Sequence, residues 1–200
     1  MKKYSIVLLL ALVLFSLASC SDDMQFPKFS KEHLETMFIQ RTELENQQNE
    51  LKDLTYKDAW KYVTDDEVER IELNIYHYAN GKWINGDSMC RQDNIQEGTV
   101  AIGYDYLRIA SVMYLTGGWG IPGNDQFYDF MDGYHSQVAW LEDWENIEYG
   151  KEIPLTMQIL SKDEKIEMPE LDIYYTPEKL EKMGVTYVSV ATVTFYDHCE

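Results

Sequence analysis

Ile71-Glu72-Leu73-Asn74-Ile75-Tyr76-His77-Tyr78-Ala79-Asn80-Gly81-Lys82-Trp83-Ile84-Asn85-Gly86 decides the fold class. Ile71, Leu73 and Ile75 alternate with Glu72, Asn74 and Tyr76, the period of two that puts one side of a strand in a core and the other toward water. Asn80-Gly81 follows, and this dipeptide takes the positive φ angles of a tight hairpin turn at little cost. The reading is a β-hairpin, with Asn85-Gly86 as a second turn signal that ends the returning strand and leaves Gly86-Asp87-Ser88 in a loop.

Working toward the C-terminus, the same kind of signal repeats. Residues 99–106 predict a strand with Val100, Ile102, Tyr104 and Tyr106 on one side, and 107–115 read as strand rather than helix because Ile109 and Val112 add β-propensity. Residues 153–160 and 165–168 flank the polar turn Ser161-Lys162-Asp163-Glu164 and predict a second hairpin. Residues 171–175 read as short and extended, and Thr176-Pro177-Glu178 opens one helical turn that Gly184 stops. Residues 185–196 form the longest β-branched run in the chain. Leu180, Gly184 and Tyr187 leading into Val188-Ser189-Val190 resemble the tyrosine corner of immunoglobulin-like and fibronectin-type sandwiches, although Ser189 and Ala191 stand where those domains carry large apolar residues. The expectation is a mainly β fold, β-sandwich-like and built of antiparallel hairpins over residues 64–200, with α+β as the alternative.

The N-terminal part reads differently. Leu34, Met37, Phe38, Leu44, Leu51 and Leu54 recur at intervals of three, four and seven behind the candidate N-cap Ser30, and Tyr56, Trp60 and Val63 follow a capping-box pattern at Thr55-Tyr56-Lys57-Asp58. Residues 31–63 are therefore expected to be a helical segment before the β-rich domain, either a packed helix or a spacer, because positions 45–50 offer no apolar side chain.

The first 30 residues give an address. Lys2-Lys3, the apolar run at positions 6–15 and Leu17-Ala18-Ser19-Cys20 have the parts of an export signal, and the run is about half of the roughly twenty residues that a membrane-spanning helix needs. The stretch resembles bacterial lipoprotein signals, and Ser21-Asp22-Asp23 resembles the surface-export signal of Bacteroidetes lipoproteins. The resemblance implies a signal peptide over 1–19, lipidation at Cys20, a tether over 20–30, and anchoring in the outer membrane facing the cell exterior, with the membrane as a partner through the lipid. Removing Lys2 and Lys3 leaves 15 basic against 35 acidic residues, a formal charge of −20. Such a charge opposes binding to phosphate backbones, so nucleic acid is not an expected partner. An export route also permits disulfides, leaving Cys90 and Cys199 as either a bridged pair or two thiols.

Catalytic patterns are thin. Gly86-Asp87-Ser88-Met89 resembles the nucleophile block of GDSL-type esterases, Gly123-Asn124-Asp125 their asparagine block, and Asp132-Gly133-Tyr134-His135 has the spacing of their aspartate and histidine. The resemblance implies Ser88 as nucleophile, Asn124 as oxyanion donor and His135 as base held by Asp132. The chain departs from that family where Pro122 replaces a glycine, where the last block follows the first too soon, and where hairpins replace alternating strands and helices. The histidines His33, His77, His135 and His198 have no zinc-ligand spacing, and the acidic loop holding Asn124, Asp125, Asp129 and Asp132 lacks that of an EF-hand, so no metal or cofactor is expected. Carboxylates such as Glu142 with Asp143 or Glu145 suit glycosidase chemistry only across a cleft of fixed width.

Residues 117–144 stand out. Trp119, Tyr128, Trp140 and Trp144 lie among glycines and beside Asp125 and Asp129, a composition that sets flat rings next to hydrogen-bond acceptors. Such a face can hold a sugar or an apolar protein anchor, while the competing reading puts most of these rings in the core. The expected function is a non-catalytic cell-surface lipoprotein that binds a glycan, peptide or partner protein, with a small secreted hydrolase, esterase-like or glycosidase-like, as the alternative.

Overall fold

The alternation at residues 71–76 becomes β3 (Arg70–Ala79), paired antiparallel with β4 (Lys82–Arg91), and Gly81 between them takes φ +80°. The computed structural model describes residues 37–43, 51, 56–79, 81–92, 96–105, 108–115, 118–120, 133–162, 166–185 and 187–198, all inside the unit Thr36–Glu200. The other strands are β1 (Phe38–Thr42), β2 (Tyr56–Val63), β5 (Glu97–Asp105), β6 (Arg108–Leu115), β7 (Gly118–Gly120), β8 (His135–Trp140), β9 (Glu145–Asn146), β10 (Ile153–Ser161) and β11 (Tyr187–Tyr196). A 3-10 turn covers Leu171–Tyr175, and one short helix, α1, covers Glu178–Lys182. The fold is mainly β.

The strands form two antiparallel sheets, one ordered β7-β6-β5-β2-β1-β9 and the other β4-β3-β11-β10-β8. Their facing sides share one apolar core: Ile39, Trp60, Tyr62, Val100 and Ile102 from the first meet Leu73, Ile75, Leu155, Val193 and Phe195 from the second. This is a β-sandwich, the architecture in which each sheet hides one face. The five-stranded sheet also hides its other face. Met157, Ile159, Val188 and Val190 are covered by Ile173, Tyr174 and Leu180 from the 3-10 turn and α1. Burial on both sides explains why β10 is buried throughout and β11 is buried everywhere but at its two end residues.

Four expectations are corrected. Within the expected helical segment 31–63, the described elements are strands, β1 and β2, which belong to the sandwich. The inner line of β2 is Tyr56, Asp58, Trp60 and Tyr62, and the buried Asp58 interrupts the apolar alternation that would have announced it. Its carboxylate is paired with Arg41 on β1. Asn85-Gly86 does not end β4: Ile75 pairs with Asp87 and Tyr76 with Asn85, so Gly86 is the extra residue of a β-bulge and Gly86-Asp87-Ser88 is strand. A Cβ at Gly86 would lie 2.5 Å from Cδ2 of the His77 ring, which a side chain could not share. The hairpin expected between 153–160 and 165–168 has only its first strand, because β10 already pairs with β8 on one side and β11 on the other.

Residues 171–175 are likewise a 3-10 turn and not extended. The turn drops Ile173 and Tyr174 onto the sheet, where the Trp83 ring stacks on Tyr174 at 5.5 Å and its Nε1 donates to the Tyr174 carbonyl at 2.8 Å. The helical turn before Gly184, which has φ +67°, and the long strand after it follow the expected pattern. Tyr187 does start that strand, and its hydroxyl is hydrogen-bonded to Nδ1 of His77 on β3.

Candidate functional site

The chain leaving β8 is fixed from below. Trp140 lies half-buried with its ring 6.0 Å from that of Trp60, and Trp60 Nε1 donates to the Leu141 carbonyl at 3.0 Å. Arg41, paired with Asp58, also holds Glu142, and these carboxylates raise the guanidinium pKa further. Trp140 thus packs partly against the core. The fixed turn leaves Trp144 projecting outward, 46 % exposed.

A second exposed ring lies within range of the residue that follows Trp144. Tyr175 is 52 % exposed, and its hydroxyl donates to the Glu152 carbonyl at 2.8 Å. Glu145, the neighbour of Trp144 in the chain, lies within electrostatic range of the Tyr175 phenol, as do Glu148, Glu152 and Lys151. Burial of part of the ring raises the Tyr175 pKa, Lys151 opposes the rise and the carboxylates add to it. Lys151 Nζ bonds Glu148 at 2.8 Å. Here an exposed aromatic ring, Tyr175, stands beside acceptors and a lysine. The sequence missed Tyr175 because it lies outside the glycine-aromatic segment; the pair Tyr174-Tyr175 directly before Thr176-Pro177 was its only signal.

Below Tyr175, Glu152 anchors the 3-10 turn. Its carboxylate accepts from the hydroxyls of Tyr76, at 2.5 Å, and Tyr174. Burial first, then this carboxylate, push both phenols well above their ordinary pKa.

The remaining candidates are dispersed or undescribed. Ser88 is on β4 and His135 on β8, the two edge strands of the five-stranded sheet. Three strands intervene, roughly 19 Å at the usual inter-strand spacing, which removes the esterase arrangement. Trp119 has its backbone in β7 at an edge of the six-stranded sheet. Cys90 is exposed on β4. Cys20, Asn124, Asp125, Tyr128, Asp129, Asp132 and Cys199 lie outside the described residues.

The strand pairings also gather a group of polar side chains that the sequence did not reveal. Val138, Gln158, Ser189 and His77 are register neighbours across β8, β10, β11 and β3, and so share one row on the inner face. Two residues along, Trp140, Thr156, Ala191 and Ile75 form the row that meets the apolar core. Gln158, Ser189 and Thr156 are fully buried at 0 % exposure. Gln158 Nε2 donates to Ser136 Oγ at 3.0 Å, whereas Gln158 Oε1, Ser189 Oγ and Thr156 Oγ1 have no hydrogen-bond partner. His77, Tyr187, Ser136 and Val138 are half-buried around them, and burial lowers the His77 pKa. The signal was present as Thr156 and Gln158 at alternate places in an apolar run, but a strand buried on both faces blurs any alternation.

Comparison with protein-family models, with curated proteins and with solved structures finds no match to this chain.

Proposed function

We propose that this protein is a non-catalytic lipoprotein of the outer cell surface, anchored through Cys20, that binds a glycan through the face carrying Trp144 and Tyr175. The observation that carries the reading is the exposure of two rings on fixed turns, Trp144 after the turn held by Trp60 and Arg41 and Tyr175 at the end of the 3-10 turn held by Glu152, with Glu145, Glu148 and Lys151 in electrostatic range of Tyr175. Large rings cost little conformational entropy to hold and offer flat apolar area to the C–H face of a sugar, while the carboxylates accept from its hydroxyls. A rigid support under the rings reduces the ordering cost of binding. Peptide and protein ligands use the same kind of surface and are the competing outcomes.

The lipobox and the acidic pair Asp22-Asp23 support the address, and a tether of about ten residues would separate lipid from domain. Affinity electrophoresis through gels containing soluble polysaccharides tests the glycan reading. Retardation of the wild-type protein, relieved by Trp144→Ala, is expected. Equal mobility in every gel, with peptide or protein ligands captured instead, would redirect the function to those partners.

A further inference from the structure

We propose that two copies of this chain pair through β8, joining their five-stranded sheets into one continuous sheet. The two sheets have four edges among the described strands, and three of these are blunted in ways that keep edges from pairing. β7 and β9 are only three and two residues long. β4 begins at Lys82, ends at Arg91 and is interrupted by the Gly86 bulge, with Asp87 opposite the core residue Ile75. β8 has none of these devices. Its six residues, His135-Ser136-Gln137-Val138-Ala139-Trp140, include no lysine, arginine, carboxylate or proline, their register with β10 is unbroken, and each is partly exposed.

Backbone bonds fix which groups face outward. Leu141 N donates to the Leu155 carbonyl at 2.8 Å, so the odd positions of β8 turn toward β10, while Ser136 and Val138 turn N–H and C=O away from it. The Ser136 carbonyl accepts from the Tyr56 hydroxyl at 3.2 Å on that outer side, and a carbonyl has a second lone pair for a further donor. A two-fold axis at Val138 makes this residue its own partner, with two N–H to C=O bonds across the axis. It also sets Tyr134 opposite Glu142 of the second copy. Charge selects this register over a slipped one. Lys162 Nζ lies 5.2 Å from the centre of the Tyr134 ring, and the second copy's Glu142, 65 % exposed and steadied by its own Arg41, arrives beside it. The axis makes this contact twice. At a net charge of −18 two copies repel at long range, so a lysine against a carboxylate at each end is what the contact requires. One short strand pair buries less than a permanent interface does, and the dimer is therefore reversible and weakened by salt. The pairing uses neither Trp144 nor Tyr175 and does not rest on the glycan reading.

Sedimentation equilibrium of the full chain in density-matched detergent tests the assignment. Wild type is expected to show a reversible monomer–dimer equilibrium. Val138→Pro removes the outward N–H at the axis, a place where an edge strand tolerates proline, and should leave only monomer. Lys162→Glu sets carboxylate against carboxylate at both ends of the contact and should weaken the dimer about tenfold, with an unchanged melting temperature because Lys162 is exposed. Glu142→Lys should weaken its own dimer in the same way by setting lysine against lysine. Mixing Lys162→Glu chains with Glu142→Lys chains remakes both contacts with their signs exchanged and should restore dimer, which damage to either fold could not do. Wild type that stays monomeric, a dimer that Val138→Pro or Lys162→Glu leaves intact, or a mixture that associates no better than its components would each overturn the proposal.

Discussion

The Trp60 indole nitrogen donates to the Leu141 carbonyl, tying the centre of one sheet to the turn that follows the edge strand of the other. The tie separates two tryptophans only four residues apart, Trp140 against the core and Trp144 outside. Replacing fully buried Trp60 with Ala should cost about 3 to 5 kcal/mol, the usual loss for a large core ring. Trp144→Ala should stay within about 0.5 kcal/mol of wild type, as exposed positions do. Denaturant melts of the two variants check both values, and a large loss at Trp144 would mean that its ring is structural.

Glu152 should be the key to the 3-10 turn. Glu152→Ala removes the acceptor of Tyr76 and Tyr174 and should cost about 2 to 4 kcal/mol, since bonds to a charged group are worth more than neutral ones. Both phenols have raised pKa values in the folded state. Their contribution is therefore complete below about pH 10, where unfolded tyrosine ionises, and is lost as pH rises beyond it. Denaturation midpoints between pH 8 and 11 should fall more steeply for wild type than for Glu152→Ala.

Gly86 and His77 form a steric pair, the bulge glycine leaving room for the ring. Gly86→Ala should cost about 1 to 3 kcal/mol through overpacking, and much less in a His77→Ala background. Additive costs in that double-mutant cycle would remove the ring as the reason for the glycine. The lowered pKa of half-buried His77 adds a pH signature: its contribution is present above about 6.5, the unfolded value, and falls as pH drops through the folded one. Acid titration of stability should show a shallower fall in His77→Ala.

Sequence periodicity is a guide where a strand has one wet face. Residues 71–76 alternate and the hairpin was legible. It misleads where a charge is buried by a partner distant in sequence, as Asp58 is by Arg41, and there β2 read as a helix. It is silent where both faces are covered, so the polar row of Thr156, Gln158 and Ser189 became visible only through register. For the outer face, composition pointed to Trp144 but could not tell it from Trp140, because the difference lies in what Trp60 reaches across the sandwich.

If Cys20 carries the proposed lipid, Cys20→Ala should release the protein from membranes, since acyl chains would then be the anchor. Asp22→Ala/Asp23→Ala should keep the lipid but reduce display outside the cell. Carbonate extraction checks the first and protease treatment of intact cells the second; a Cys20→Ala protein still held by membranes would end the anchor account.

The most direct test of the binding account is an array of immobilised oligosaccharides probed with the full chain in detergent, beside a Trp144→Ala/Tyr175→Ala variant of matched melting temperature. Wild type is predicted to bind a defined subset of glycans, and the variant to lose at least tenfold in affinity for that subset. Wild type binding none of them, or the variant binding equally well, would contradict the account.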